Sequence, residues 1–242
     1  MQKCAFRLLK ATMKLSKVTE RDDGSAKRWY DDACGTALAM ELVGERWSLL
    51  IVRELMFGPR RFGELRAGLA GISANVLTQR LESMERVGIL QRRKLAPPAS
   101  VQVYELTQWG YSAEVAIQEL GRWAVQSALH DPTLPFSAAS AMLSFRTMID
   151  RSRSGAFDAQ VGFRFGSEGF VATVDAQGIA IRRGEPEGAV VFATDPPTLA
   201  SIVYGGRPIA DAEAAGVLTL SGDRALAERF VTLFPLPPKL GS

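Results

Sequence analysis

The chain has 242 residues, of which 47% are hydrophobic and 23% charged, with a net charge of +3. This is the composition of a globular protein able to bury one large core or two modest ones, and it excludes wholesale disorder. No stretch approaches the ~18 uninterrupted apolar residues of a membrane span. The opening MQKCAFRLLKATMKLSK scatters cations where a secretory signal needs an apolar block. Cys4 and Cys34 are the only cysteines, which argues against a disulfide framework and suits a reducing cytoplasm with no membrane partner. The charge is unevenly divided. Residues 1–125 hold 19 Lys and Arg against 14 Asp and Glu, whereas residues 126–242 hold 10 against 12. A basic front and a mildly acidic back are expected when only the front meets a polyanion.

Residues 1–27 are polar and basic and read as a flexible arm, with Met13 as an alternative start. The helical pattern begins near Arg28. CGTALAMELVG sets Ala37, Leu38, Leu42 and Val43 on one face, and Gly44 closes it. ERWSLLIVRELM follows as a helix, GPRR as a turn that Pro59 enforces, and RFGELRAGL as a short helix. Ser73 is a good N-cap for ANVLTQRLESMERV, and Gly88 ends that helix. Ala74, Leu77, Leu81 and Met84 form its apolar stripe, with Asn75, Gln79, Ser83 and Arg86 roughly opposite. Two strands, ILQRRKL and VQVYEL, flank the turn PPAS, and a long amphipathic helix starts near Thr107.

The prolines of HDPTLP mark a linker over residues 128–136. Beyond it, SAASAMLSFRTMIDR reads as a helix. AQVGFRF, GFVATVD, GIAIRR and AVVFAT read as strands, PPTLASIVYGG and DAEAAG as helices, VLTLSG as a fifth strand and DRALAERFVTLF as a last helix. The tail PLPPKLGS is expected to fray. The fold class is therefore α+β, with a front half of helices and a two-stranded wing over 28–127. A roughly five-stranded sheet with covering helices follows over 137–236, and a tail over 237–242.

Enzymatic readings lack material. His130 is the sole histidine and lies in the linker, so no His-based triad or His-rich metal site can be assembled. The cysteines lack zinc-finger spacing, and GSEG and YGGRP lack the spacing and Lys of a phosphate loop. Asp and Glu are plentiful enough to leave a carboxylate pair formally open. The expectation is a non-enzyme with no catalytic residues, no metal and no cofactor.

Three helices and a hairpin within about 80 residues give the element order of a winged helix-turn-helix. A helix can lie in the major groove only if its outer face is polar and its inner face is anchored to a small core. Helix 74–87 meets both needs. Asn75, Thr78, Gln79 and Ser83 offer amides and hydroxyls to base edges or phosphates, Arg86 adds a cation, and Ser73 opens the free N–H groups of its first turn. Arg60 and Arg61 precede the supporting helix, and Arg92, Arg93 and Lys94 lie on the first wing strand, where a phosphate backbone would pass. Read alone, such a helix is equally an ordinary solvated surface. Element order, charge division and flanking arginines together favour double-stranded DNA as the partner.

The stretch from Cys34 to Trp123 resembles the HxlR-type winged helix-turn-helix regulators of bacteria. It carries a Cys near its start, GERWSLLIVREL, GPRRF and GISANVLTQRLESMERVG in family order and spacing. The resemblance implies that Arg60, Arg61 and Phe62 open the supporting helix, Ser73 to Arg86 form the recognition helix and 89–106 the wing. It also implies a homodimer in which the N-terminal helix and the 107–126 helix pack across the two-fold axis. Gly35 departs from the family, which often has Pro there. In some members a Cys at the position of Cys34 senses oxidants or electrophiles. An accessible thiolate would be needed; Asp31 and Asp32 argue against one, and a small packing residue is the alternative.

Residues 140–236 are similar to sterol carrier protein type 2-like domains. FRFG, DPPTLASIVYGGRP and GVLTLSGDRAL carry the likeness. The resemblance implies a cavity for a small apolar or lipid-like effector. Phe145, Ile149, Leu199, Ile202, Val203, Phe230 and Phe234 can line such a space, and can equally be ordinary core. A part that only scaffolds the dimer is the competing reading. A third makes the chain a lipid carrier whose helix-turn-helix has become a protein-interaction surface.

Overall fold

In the computed structural model the described residues are 30–155 and 157–240. The expected arm over 1–27 lies outside them. The front half follows the expected order. Helices α1 (Gly35–Val43), α2 (Ser48–Leu55), α3 (Phe62–Gly68) and α4 (Ala74–Arg86) precede a two-stranded wing, β1 (Leu90–Lys94) and β2 (Gln102–Leu106). The helix expected from Thr107 is split at Ala113 into α5 (Gln108–Ser112) and α6 (Glu114–Ala124).

The back half opens with α7 (Ala138–Met148) and a short α8 (Arg151–Ser154). Strands β3 (Ala159–Phe165), β4 (Glu168–Asp175) and β5 (Gly178–Arg183) form a meander. After β6 (Val190–Thr194), helices α9 (Pro196–Val203) and α10 (Ile209–Ala214) lead to β7 (Leu218–Gly222), then α11 (Arg224–Phe230) and a 3-10 turn (Val231–Leu233). The sheet order is β5-β4-β3-β6-β7, with β3 and β6 parallel and the other pairs antiparallel. Strand alternation sends Val161, Phe163 and Phe165 inward while Gln160 and Arg164 face out.

The hydrophobic core does not stop at the linker. One continuous cluster runs from Ile51, Leu55 and Leu77 in the front half to Phe163, Phe192 and Phe230 in the back. Helix α7 makes the join. It packs against α2 and α6 on one side and β5 and α9 on the other. Its sequence is apolar or small almost all round, with Ala138, Ala139, Ala141, Met142, Leu143 and Phe145 buried, as a central helix requires. Its N-cap Ser137 accepts from Ser140 N–H at 3.0 Å and donates to buried Glu54 of α2 at 2.7 Å. Arg146 of α7 pairs with Glu114 of α6 at 2.8 Å, lies over the Phe57 ring at 4.5 Å and donates to the Ile181 carbonyl of β5.

Two expectations are corrected. The tail does not fray through residue 240. The Lys239 ammonium donates to the carbonyls of Val125 and Ser127 at 2.8 and 3.0 Å, and Leu240 N–H donates to Gln126 at 2.9 Å. Carbonyls at a helix C-terminus lack intrahelical donors and attract cations, so a Lys after the prolines has a ready seat there. The second correction concerns an enclosed apolar cavity. The rings of Phe145 and Phe234 stack at 4.4 Å, Phe230 meets both edge-on at 5.7 and 5.0 Å, and together with Phe163 and Phe192 they fill that interior. Leu199 is likewise core. Aromatic contacts of this kind are favourable beyond the area they bury. Among the described residues, no helix is long and apolar enough to cross a membrane, and no cluster of His, Cys, Asp and Glu could hold a metal ion.

Candidate nucleic-acid interface

Helix α4 is built to show one face. Ser73 accepts from Val76 N–H at 3.2 Å and starts it. At the far end Gly88, with φ of +77°, allows the Gly88 and Ile89 N–H groups to reach back to Glu85 and Met84 at 3.0 and 2.9 Å. This is the paired hydrogen-bond pattern of a left-handed glycine stop, and the buried side chains of Ile89 and Met84 accompany it. Leu77, Leu81 and Met84 are sealed in the core. Asn75, Thr78, Gln79 and Arg86 are exposed, and Ser83 is half-buried. Arg80, on the flank, is tied to the α1–α2 turn through Glu45 at 2.8 Å and the Arg46 carbonyl at 3.2 Å.

The expected cations fall into three groups. Arg61, Arg86 and Lys94 are exposed, and no ion pair engages them among the described residues. Arg66 on α3 shares that state, although the sequence reading passed over it. Its signal was its place in the last turn of the supporting helix. Arg92 and Arg93 are exposed but paired, with Glu85 at 2.6 Å and Glu105 at 2.5 Å. The Arg92 contact holds the Glu85 carboxyl below its usual range despite opposing burial. Such solvated pairs exchange readily for a phosphate.

Arg60 stands apart and leaves the phosphate-contact set. Its side chain is only 7% exposed, and its guanidinium donates to both oxygens of Glu168 at 2.5 and 3.2 Å. Burial opposes its charge, but Glu168 outweighs burial and raises its pKa. Glu168 also accepts from Arg183. The wing strands enclose a cationic groove of about 380 Å³ lined by Arg92, Arg93, Lys94, Ser100 and Gln102. The last two were not singled out by the sequence; Gln102 is revealed by its register opposite Lys94, and Ser100 by its place in the loop between the two strands.

Cys34 is the exposed N-cap position of α1. The backbone N–H groups of Thr36 and Ala37 and the Thr36 hydroxyl lower its pKa. These groups prevail over the upward pull expected of Asp31 and Asp32, of which Asp32 accepts from the Cys34 N–H at 2.9 Å.

Helices α1 and α6 hold no fully buried residue. Leu38, Met40, Val115, Leu120 and Trp123 stand out on them, Trp123 at 69% exposed, with Trp109 of α5 beside them.

In the back half, a surface cleft of about 490 Å³ takes in Ile202, Val203 and Phe234 of the expected pocket residues, bordered by Ile209, Val231 and Arg207. Ile149 borders a second cleft, of about 390 Å³, while Phe145, Leu199 and Phe230 line neither.

Residues 42–131 match the HxlR-like helix-turn-helix family model. The HTH-type transcriptional regulator YodB of Bacillus subtilis is 36% identical over 88 residues, covering 36% of this chain and 79% of YodB. The chain belongs to the HxlR family. An uncharacterized HTH-type transcriptional regulator of Mycobacterium tuberculosis is 44% identical over 96 residues, which is 40% of this chain. The chain spans 59% of the length of that relative. Among solved structures, the reduced form of YodB aligns at 34% identity and a TM-score of 0.37, covering 40% of this chain and 98% of YodB. The HxlR match places Ser73 to Arg86 and the wing within the family's helix-turn-helix segment and ends before α7.

Proposed function

We propose that the protein is a homodimeric, DNA-binding transcription regulator of the cytoplasm whose two α4 helices enter successive major grooves. The observation that carries this reading is α4 itself, with Leu77, Leu81 and Met84 fully buried while Asn75, Thr78 and Gln79 face solvent beside a cationic wing. Residues 28–127 then form the DNA-binding and dimerisation domain, with Arg61, Arg86, Arg92, Arg93 and Lys94 on phosphates. The exposed apolar residues of α1 and α6 favour a second copy as their cover, since large contiguous apolar patches are unusual on monomers. Two-fold pairing puts the half-sites about 34 Å apart.

The test is selection of duplexes from a random-sequence pool, followed by titration across a salt series. A recovered palindrome with a steep salt slope supports the reading. Equal, shallow binding to selected and scrambled duplexes defeats it. Gln79→Ala should relax base preference, whereas Arg61→Ala should weaken all sequences alike and flatten the slope by about one unit.

Residues 137–236 we read as a sterol-carrier-like part that binds a small apolar effector. The cleft over Ile202, Val203 and Phe234 is the supporting feature. An effector shifts DNA binding only if it favours one state of the dimer over another. Apolar ligands that raise the melting temperature yet leave duplex affinity unchanged would sink this coupling. A second reading, oxidant or electrophile sensing, is favoured by one observation, the exposed Cys34 thiol with its lowered pKa. Loss of duplex binding on diamide treatment, absent in Cys34→Ser, is its expected signature.

A further inference from the structure

One route from the back half to the wing runs through the Arg60 side chain. Arg60 sits in the turn between α2 and α3, and its N–H and C=O exchange hydrogen bonds with Tyr104 of β2 at 2.9 and 2.8 Å. Its backbone is therefore an added rung on the wing, one residue before the exposed Arg61. Its side chain turns the opposite way, into the carboxylate of Glu168 at the start of β4. Glu168 is held in turn by Arg183 of β5. Two residues along β4, Phe170 meets Phe57 of the front half edge-on at 5.6 Å, and the Arg183 guanidinium caps the Phe170 ring at 4.5 Å.

A contact of this build is directional. A bidentate carboxylate fixes the plane of a guanidinium as well as its place. The Arg60 backbone cannot shift without moving Tyr104, and Tyr104 pairs with Arg92 in the wing register. The Arg60 Nε is buried without a hydrogen-bond partner, and so are Nε and Nη2 of Arg183. Both guanidiniums thus depend on this one carboxylate for their short contacts. A phosphate role for Arg60 would require it to leave that seat.

We infer that Glu168 is a positioning residue for DNA recognition, which holds Arg60 and thereby sets the wing and Arg61 against the groove according to the placement of the C-terminal sheet. This rests on the DNA-binding reading above and gives the back half a route to the DNA reader.

The test uses the full chain, the wild-type-selected duplex, and the variants Glu168→Gln, Arg60→Met and the double variant, each verified as folded by circular dichroism at the assay temperature. Expected for Glu168→Gln and Arg60→Met is duplex affinity reduced by roughly five- to tenfold, the low end of coupling between sites. The salt slope stays unchanged, and the double variant is no weaker than the weaker single one. Amide exchange quickens at Arg60 and Tyr104 but not along α4. Arg61→Ala is the control that flattens the slope. If Arg61→Ala behaves so while Glu168→Gln binds as wild type, the inference falls and the DNA-binding reading stands. A slope flattened by Arg60→Met also overturns it, because Arg60 then touches phosphate itself. If the wild type has no sequence-dependent binding, both fall together.

Discussion

Cys34 shows how the structure around a residue can outweigh the charges beside it in sequence. Two aspartates precede it, yet its seat at the N-terminus of α1, beside the Thr36 and Ala37 amides, lowers its pKa and favours the thiolate. Alkylation by iodoacetamide should therefore reach half-maximal rate at a lower pH than for a cysteine in an unstructured peptide. Thr36→Val should move that midpoint back up; a wild-type midpoint at or above that of the peptide would contradict the lowered pKa. Arg60 and Arg61 give the same lesson. They are adjacent and identical in type, but one is sealed against a carboxylate 108 residues away and the other is open to solvent. No local pattern separates them. In the sequence they form one basic pair, and nothing beside them points to Glu168.

At the scale of elements, periodicity served well wherever one face meets a core. The stripe Leu77, Leu81 and Met84 was legible because a 3.6-residue repeat of apolar side chains has few uses besides burial. Leu81→Ala should cost about 2–5 kcal/mol in urea unfolding. Ser73→Ala, which removes the cap but leaves the stripe, should cost about 1 kcal/mol. Equal losses from the two would mean that α4 is held by its cap rather than its packing. The five strands were likewise legible from alternation. Less visible was the role of α7. Its composition announces a buried helix, but nothing in the sequence says that it is buried between two halves rather than within one. Which candidate pocket residues border a cleft and which are core was hidden for a related reason. Aromatic residues suited to lining a cavity are equally suited to filling it, and only their ring-to-ring distances decide between the two.

For the whole molecule, the continuous core predicts one cooperative unfolding transition. All four tryptophans lie between Trp29 and Trp123, so fluorescence reports on the front half while far-ultraviolet circular dichroism reports on both. The two urea curves should coincide; a separate earlier fluorescence transition would show that the halves unfold independently. The contact at Glu168 adds a dependence on pH. Burial pushes its carboxyl up, but Arg60 and Arg183 outweigh burial and leave it below the ordinary value of 4.5. Its contribution to stability is thus fully present above that value and is lost as pH falls through the lowered folded one. Glu168→Gln should flatten the acid limb of the stability profile. It should also destabilise the protein by about 3 kcal/mol near neutral pH, and by more than Arg60→Met does, because it leaves two guanidiniums together with only Glu64, 3.7 Å from Arg60, to offset them. Arg60→Met leaves Glu168 its second partner, Arg183.

The same ion pair bears on how such a protein can be rearranged, in the laboratory or by gene fusion. HxlR-type readers invite use as interchangeable cassettes, joined to new C-terminal parts through a proline-marked linker. Here a cut at the linker would separate Glu54 from Ser137 and Glu168 from Arg60, and would strip α7 from α2 and α6. A chimera carrying this reader on a foreign sensor would inherit an Arg60 guanidinium stripped of its bidentate carboxylate at the very turn that feeds the wing. Exchange of the halves should succeed only when the join is moved past α7 and a carboxylate is supplied for Arg60.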